Sequence, residues 1–461
     1  MEARHEYEQR LKIARQHVDQ LAAQLSKLIW VRTSLFFGAA GCLAFAYMGD
    51  VSRSVLGPLG WVLSFGFLVA IVWNEHKRLA HLAACNDVEQ FERLIARLDR
   101  DWSKLPGVNF LPEVPELTCT LDLDVAGENS LLALLNLTGT HPGLLQLQNW
   151  ISVTPSWSEV EVRQAATKAL IPARELRLEL IRRVANTSFA TKSPYGLAEW
   201  AKQPSWLKSH RVGHLLSYIG PAVLIVGAAV LYWGYKHDDQ LWMRIGLAGL
   251  SMGAIANILI TVFWGSWIHD IFHRVAGEHH ASRQFAEIFE MLGQLPEDNG
   301  ILSDAKHIAT QSSDSATRGF VELNRLVKLA TLQRNVIFYL VYLALQQIFL
   351  WDFRILRLLE RWQSRYGEAV ERWFAVLGRC EAVISSATLA DENPDWCYPQ
   401  PLEEMNLRFQ AEQMGHPLLP GRVRVNNDLK LESMGAFATG NRIKTWLARV
   451  PLCGHSVSIC C

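Results

Sequence analysis

No two cysteines in this chain are spaced as CxxC. All eight (Cys42, Cys85, Cys119, Cys380, Cys397, Cys453, Cys460 and Cys461) are scattered, which argues against a zinc ribbon or a secreted disulfide scaffold and suits a reducing compartment. Net charge is missing too: 45 Lys+Arg stand against 45 Asp+Glu, so no global field draws the chain to nucleic acid. No basic, aromatic-interleaved stretch of the kind that grips nucleic acid occurs either. The N-terminal residues are charged and helical in pattern, unlike a cleavable signal peptide.

Charge is also absent from two long apolar runs, Val212–Tyr235 and Ile245–Trp267, which are separated by Lys236-His237-Asp238-Asp239. At ~1.5 Å rise per residue, either run crosses a ~30 Å hydrocarbon layer. The expected unit is a hairpin of two membrane helices. A second hairpin is expected earlier, from Ser34–Met48 extended back through Leu28–Thr33, a short Gly49–Ser54 loop, and Val55–Trp73. Basic residues fix the orientation. Arg10, Lys12, Arg15, Lys27 and Arg32 precede the first span, Lys77 and Arg78 follow the second, Lys202, Lys208 and Arg211 precede the third, and Arg274 follows the fourth. By the positive-inside rule both hairpins enter an inner or plasma membrane from the cytoplasm, which leaves both termini cytoplasmic. The spans carry no buried carboxylate or lysine, so they read as anchors and not as a transport pathway. Gly249-Leu-Ser-Met-Gly253 allows close helix approach, and packing against the third span is its expected use.

Outside the spans the pattern is helical. Leu11, Ile13, Val18, Leu21, Leu25 and Leu28 mark an amphipathic N-terminal helix, and Val88–Trp102 another. Ser130 is placed to cap a helix through Leu131–Leu137, followed by helices over Leu144–Ile151 and Ser158–Leu170. His269 and His273 lie four apart with Glu278, His279 and His280 nearby, but Gly277 interrupts a metal-binding spacing. Interfacial polar residues are the expected reading, with no metal ligands and no catalytic residues assigned. Val336–Trp351 reads as a buried core helix too short to span. Trp362, Tyr366, Val370, Trp373, Leu377, Cys380 and Ile384 repeat at three or four and form one apolar stripe on a long helix.

Several of these segments resemble the MutS family of mismatch-repair ATPases. The family's core signature is matched at Asp122, Asp124 and Gly127, then at Ser130, Leu131, Leu134, Leu135, Thr138, Thr140 and Gly143, then at Trp150, Arg163, Gln164 and Ala165; His141 and Ile151 depart from it. Leu350–Asp352, Glu381-Ala382 and Asn393-Pro394 before Pro399 look like a membrane-anchored branch of that family. Met414-Gly-His-Pro-Leu-Leu419 and Val425-Asn-Asn-Asp-Leu-Lys-Leu431 resemble the elements that open its nucleotide-binding domain.

The expected fold is mainly α: two transmembrane hairpins, to which the resemblance adds a MutS-like helical core with two long antiparallel lever helices and only the start of an α/β ATPase domain. The expected division is 1–28 an amphipathic helix, 29–75 the first hairpin, 76–211 a cytoplasmic core segment, 212–268 the second hairpin, 269–400 lever helices, and 401–461 the truncated start of a nucleotide-binding domain. The resemblance also implies ATP with magnesium as the family's cofactors and DNA as partner; the membrane and a homodimer through the lever or transmembrane helices are the other expected partners.

The nucleotide site it implies is degenerate here. Asn427 matches the residue beside the adenine, and Thr439, Gly440 and Asn441 open the P-loop motif. Only Asn441, Arg442 and Ile443 then separate Gly440 from Lys444, and the second glycine is missing. A loop that short does not wrap a phosphate. The tail Trp446–Cys461 reads as a shifted frame or a gene end, and the mismatch-reading module is not found. The expectation is therefore a membrane-anchored MutS-related chain that uses neither ATP nor another cofactor; the alternative is a non-enzymatic membrane scaffold.

Overall fold

Where neither glycine nor proline interrupts the chain, helices run on past the boundaries that composition suggests. The computed structural model describes residues 2–48, 53–114, 124–187, 195–276, 281–298, 300–334, 338–401 and 409–431. Its first two elements, α1 (Glu2–Met48) and α2 (Arg53–Asp99), are 47 residues each and pack side by side, about 70 Å of helix at 1.5 Å per residue. The amphipathic N-terminal helix and the first apolar run are thus one element, and Val88–Trp102 is largely the end of α2. The expected boundaries at residues 28 and 75 do not interrupt either helix. The apolar halves are exposed, as at Phe37 and Trp61. The polar halves form a two-helix stalk cross-linked by Arg4 to Asp99 and Arg15 to Glu92, both at 2.7 Å.

A group of short helices follows: α3 (Leu131–Leu135), α4 (His141–Ser152), α5 (Trp157–Leu170), α6 (Arg174–Ala185), α7 (Tyr195–Lys202) and α8 (Trp206–Ser209). The second long pair is α9 (Arg211–Lys236) and α10 (Gln240–Ala276). Together with α1 and α2, these are four helices long and apolar enough to cross a membrane. Small residues let the second pair close up: a Cβ on Gly246 would lie 2.3 Å from the Leu231 nitrogen, and Gly249 faces Gly227 at 3.2 Å. The GxxxG spacing is therefore used against α9, within the chain.

The rest is α11 (Ala281–Leu292), α12 (Ile301–Lys306) running into a π-helical turn at His307–Gln311, α13 (Ala316–Ala330), α14 (Tyr339–Phe349), α15 (Trp351–Glu392), and an antiparallel strand pair β1 (Phe409–Met414) and β2 (Asn427–Leu431). The 42-residue α15 is the axle of the fold. The whole expected stripe, Trp362 through Ile384, is buried, and so are Leu359, Phe374, Val383 and Ala387 on neighbouring faces. Helices α4, α5, α7, α12 and α13 pack around it. Of the two long antiparallel helices expected, however, the described residues contain α15 alone. Its expected antiparallel partner is divided into α11, α12 and α13, because Gly293–Gly300, bounded by glycines, and the polar Ser312–Ser315 interrupt the apolar pattern.

Helix α14 corrects a second expectation. It is not a buried core helix: only Tyr342 and Gln346 are buried, while Leu340 is 76% exposed. It lies against α9 and α10, with Asn257 Nδ2 donating to the Gln347 carbonyl at 2.5 Å and Gln346 Nε2 to Thr261 Oγ1 at 3.0 Å. Leu350, fully buried in the left-handed region (φ 50°), then reverses the chain into α15. A polar stripe thus attaches α14 to α10 and leaves its apolar face outward.

Trp373 sits in an aromatic cluster with Phe320 (5.3 Å between centroids) and donates Nε1 to the Asp314 carbonyl at 3.1 Å. Trp373→Ala in the detergent-purified chain is expected to cost about 3–5 kcal/mol of stability. Arg365→Ala, at an exposed position on the same helix, is expected to stay within about ±0.5 kcal/mol. Chemical denaturation of the two variants checks this, and equal effects would contradict the packing.

Candidate functional site

Some of the residues that carried the resemblance, far apart in sequence, meet at a buried carboxylate on α15. Ser130 caps α3: its hydroxyl accepts from Ala133 N at 3.1 Å and donates to the Gly127 carbonyl at 2.9 Å. The helix stops at Leu135, short of the expected Leu137, because Asn136 Oδ1 draws in Thr138 N (3.1 Å) and Thr138 Oγ1 (2.7 Å). This local turn competes with helix continuation. Thr140 then caps α4, accepting from Gly143 N at 3.2 Å, with Pro142 in the first turn where its missing N–H is harmless.

Glu381 receives this turn. Gly139 N (2.8 Å) and Thr140 N (3.1 Å) donate to its Oε2, and the Thr140 hydroxyl donates to its Oε1. Two glycines make the approach feasible: a Cβ on Gly143 would lie 2.5 Å from Glu381 Oε2, and one on Gly378 would lie 2.5 Å from the Pro142 carbonyl oxygen. The carboxyl is buried, and desolvation pushes its pKa up to about 7 against the three donated bonds.

The other matched residues brace the same unit. Arg163 lies over the Trp150 ring at 4.5 Å, and Gln164 Nε2 donates to the Pro399 carbonyl at 2.9 Å. Gly127 holds φ +101°, a region that favours glycine. Helix α5 starts one residue before the expected Ser158, because its cap is Ser156, which accepts from Glu159 N at 3.3 Å.

A second buried polar group lies at the far end of α15. Arg174 grips Asp391 with two bonds of 2.7 Å, and Arg177 adds a third at 2.6 Å. Glu392 stands 3.3 Å from Arg97 of α2 and accepts from the Tyr7 hydroxyl of α1 at 3.3 Å. Burial pushes Glu392 up, with Arg97 opposing it. Arg100, pushed down to about 10 by burial, donates to the Pro417 carbonyl at 3.0 Å and so ties the His416-Pro417 loop to α2. This junction was not foreseen. Its signal was available in Glu381 and Glu392, which continue the apolar stripe with charged residues.

Among the residues expected for nucleotide, Asn427 opens β2 opposite Met414, and its Nδ2 turns back to the Val425 carbonyl at 3.4 Å. Thr439, Gly440 and Asn441 lie outside the described residues. His269 Nε2 meets Gln333 Oε1 at 2.5 Å and stands 3.8 Å from the buried Asp352, while His273 meets Arg334. No cluster with metal-ligand composition occurs among the described residues. Glu278, His279 and His280 lie outside them.

The Glu381 seat makes a pH prediction. With its folded pKa raised, the folded chain holds a proton that the unfolded chain releases, so stability falls as pH rises from the ordinary glutamate range through about 7. Glu381→Gln removes this titration. Its stability relative to the parent is expected to climb by on the order of 3 kcal/mol across that window. Paired melting curves at low and high pH measure the slope, and parallel pH profiles would contradict the buried seat.

In comparisons with known proteins, the chain matches no family model, no curated protein and no solved structure.

Proposed function

We propose that this chain is a membrane-anchored, MutS-like protein that keeps a helical core and one lever helix and acts without hydrolysing ATP. One observation carries the reading: matched residues from separated stretches touch, Gly139 and Thr140 donating to Glu381 and Gln164 donating to the Pro399 carbonyl. The division of 281–330 into α11, α12 and α13 departs from the family's second lever helix. In the family, ATP binding drives mismatched-DNA recognition. Here the P-loop match is too short, and Asn427 alone offers a base contact without phosphate contacts, which leaves little affinity.

The lever joins the apolar helices to the loop before β2, so the chain serves as a membrane-held mechanical support for a partner that supplies the nucleotide and DNA chemistry. A purely structural scaffold is the second reading, favoured by the buried Arg97–Glu392 pair, which clamps the stalk onto α15. A homodimer through α10 would use a face other than the glycines, which α9 already covers. The helix pairs sit in an inner or plasma membrane with both termini in the cytoplasm.

Purified protein in detergent is expected to show no magnesium-dependent ATPase above a Lys444→Ala control and no ATP-dependent rise in melting temperature. Turnover abolished by Lys444→Ala would overturn the reading. For topology, single cysteines at Arg53 and Asp238 in a cysteine-free background are expected to react with impermeant maleimide in intact cells. Labelling only after permeabilisation would invert the orientation.

A further inference from the structure

A groove of about 870 Å³ opens between the end of α7, α8, the first turn of α9 and the N-terminal half of α15. That volume lies within the ~300–1,000 Å³ typical of small-ligand sites. In a chain of zero net charge its lining is strongly basic: Lys202, Lys208, Arg211, Arg357, Arg361 and Arg365 against Glu360 and Glu368.

One of the two lining carboxylates is engaged elsewhere. Glu360 gives both oxygens to α8, accepting from the Ser205 hydroxyl and from Leu207 N at 2.9 Å. Lys202 is paired with Glu371 at 2.5 Å, and Arg357 is turned to the Tyr218 hydroxyl. Lys208, Arg211 and Arg361 have no ion-pair partner among the described residues. His214, also in the lining, holds a buried Nε2 without a hydrogen bond.

The position of the groove identifies its occupant. Arg211 is followed at once by Val212, 69% exposed, and by Leu215, 63% exposed, so the cationic lining ends where the apolar surface of α9 begins. Trp206 stacks on His210 at 4.2 Å, and Trp267 lies beside them at 6.5 Å. Aromatic rings of this kind mark a headgroup layer. An acidic peptide or soluble nucleotide has no reason to bind at that level, whereas an anionic lipid presents its phosphates there and its chains along α9.

We propose that this groove binds the phosphate headgroup of an anionic phospholipid, with Lys208, Arg211 and Arg361 as its principal contacts. The proposal rests on the membrane placement argued above. Its test uses the full chain in nanodiscs of phosphatidylcholine alone or with a minor fraction of cardiolipin, and resistance to alkaline extraction from vesicles is measured separately. Cardiolipin is expected to raise the melting temperature by several degrees. The Arg211→Gln/Arg361→Gln variant is expected to lose that shift, and Arg325→Gln to keep it. Because each variant is compared with itself in the two discs, a general loss of stability cancels.

An equal shift in parent and double variant, or none in the parent, would overturn the lipid site. A variant-sensitive shift given by inorganic pyrophosphate in neutral discs, and not by cardiolipin, would assign the groove to soluble phosphate and overturn it likewise. Release of the parent by alkaline extraction would instead overturn the membrane placement.

Discussion

The buried charges at the end of α15 close the molecule on itself. Tyr7 and Arg97 reach Glu392 from the two stalk helices, and Arg174 and Arg177 reach Asp391 from α6. Such groups contribute little net stability when paired, because desolvation offsets their attraction, but removing one partner strands a charge in the interior at a cost of about 3–5 kcal/mol. Their value here is register. A helix as apolar as α15 would pack acceptably at several offsets along its axis, whereas carboxylates at 381, 391 and 392 meet their donors at only one. The start of the chain, the short helices and the loop before β2 are all aligned by that choice.

Much of this was legible in the sequence. The four long apolar helices, the stripe from Trp362 to Ile384, the Ser130 cap and the glycine face of α10 all follow from periodicity and residue size, which act locally. The limits of α1 and α2 were not legible, because composition changes from polar to apolar without any residue that ends a helix. The interrupted partner of α15 was hidden for the opposite reason: family resemblance supplied an expectation of continuity that Gly293 and Gly300 contradict. Helix α14 was misread because an apolar run of that length is equally suited to a core and to a lipid-facing position. Only the contacts of Asn257 and Gln346 decide between them.

The polar site itself was half visible. The Thr138–Gly143 stretch announced a capped turn, but a sequence does not say what receives its amides, and Glu381 lies some 240 positions away. Charges that interrupt an apolar stripe were the available clue. A buried carboxylate needs donors, and the donors had to come from backbone that helices leave unpaired, at their N-termini and turns.

The stalk and α15 leave the apolar helix pairs separately and meet again at Glu392. From Leu28 to Tyr7 the stalk is about 32 Å of helix, while Asp352 to Glu392 is about 60 Å at the same rise. On the proposed placement of both pairs in one bilayer, the longer arm must lean by about 60° from the membrane normal to end where the shorter one does. Stalk, leaning arm and bilayer then form the sides of a triangle, which changes shape only if a side changes length. Helices resist that far better than they resist bending. On that placement a load applied at the His416-Pro417 loop would be carried as tension in one arm and compression in the other, as in a roof truss, and would reach the bilayer at two separate feet.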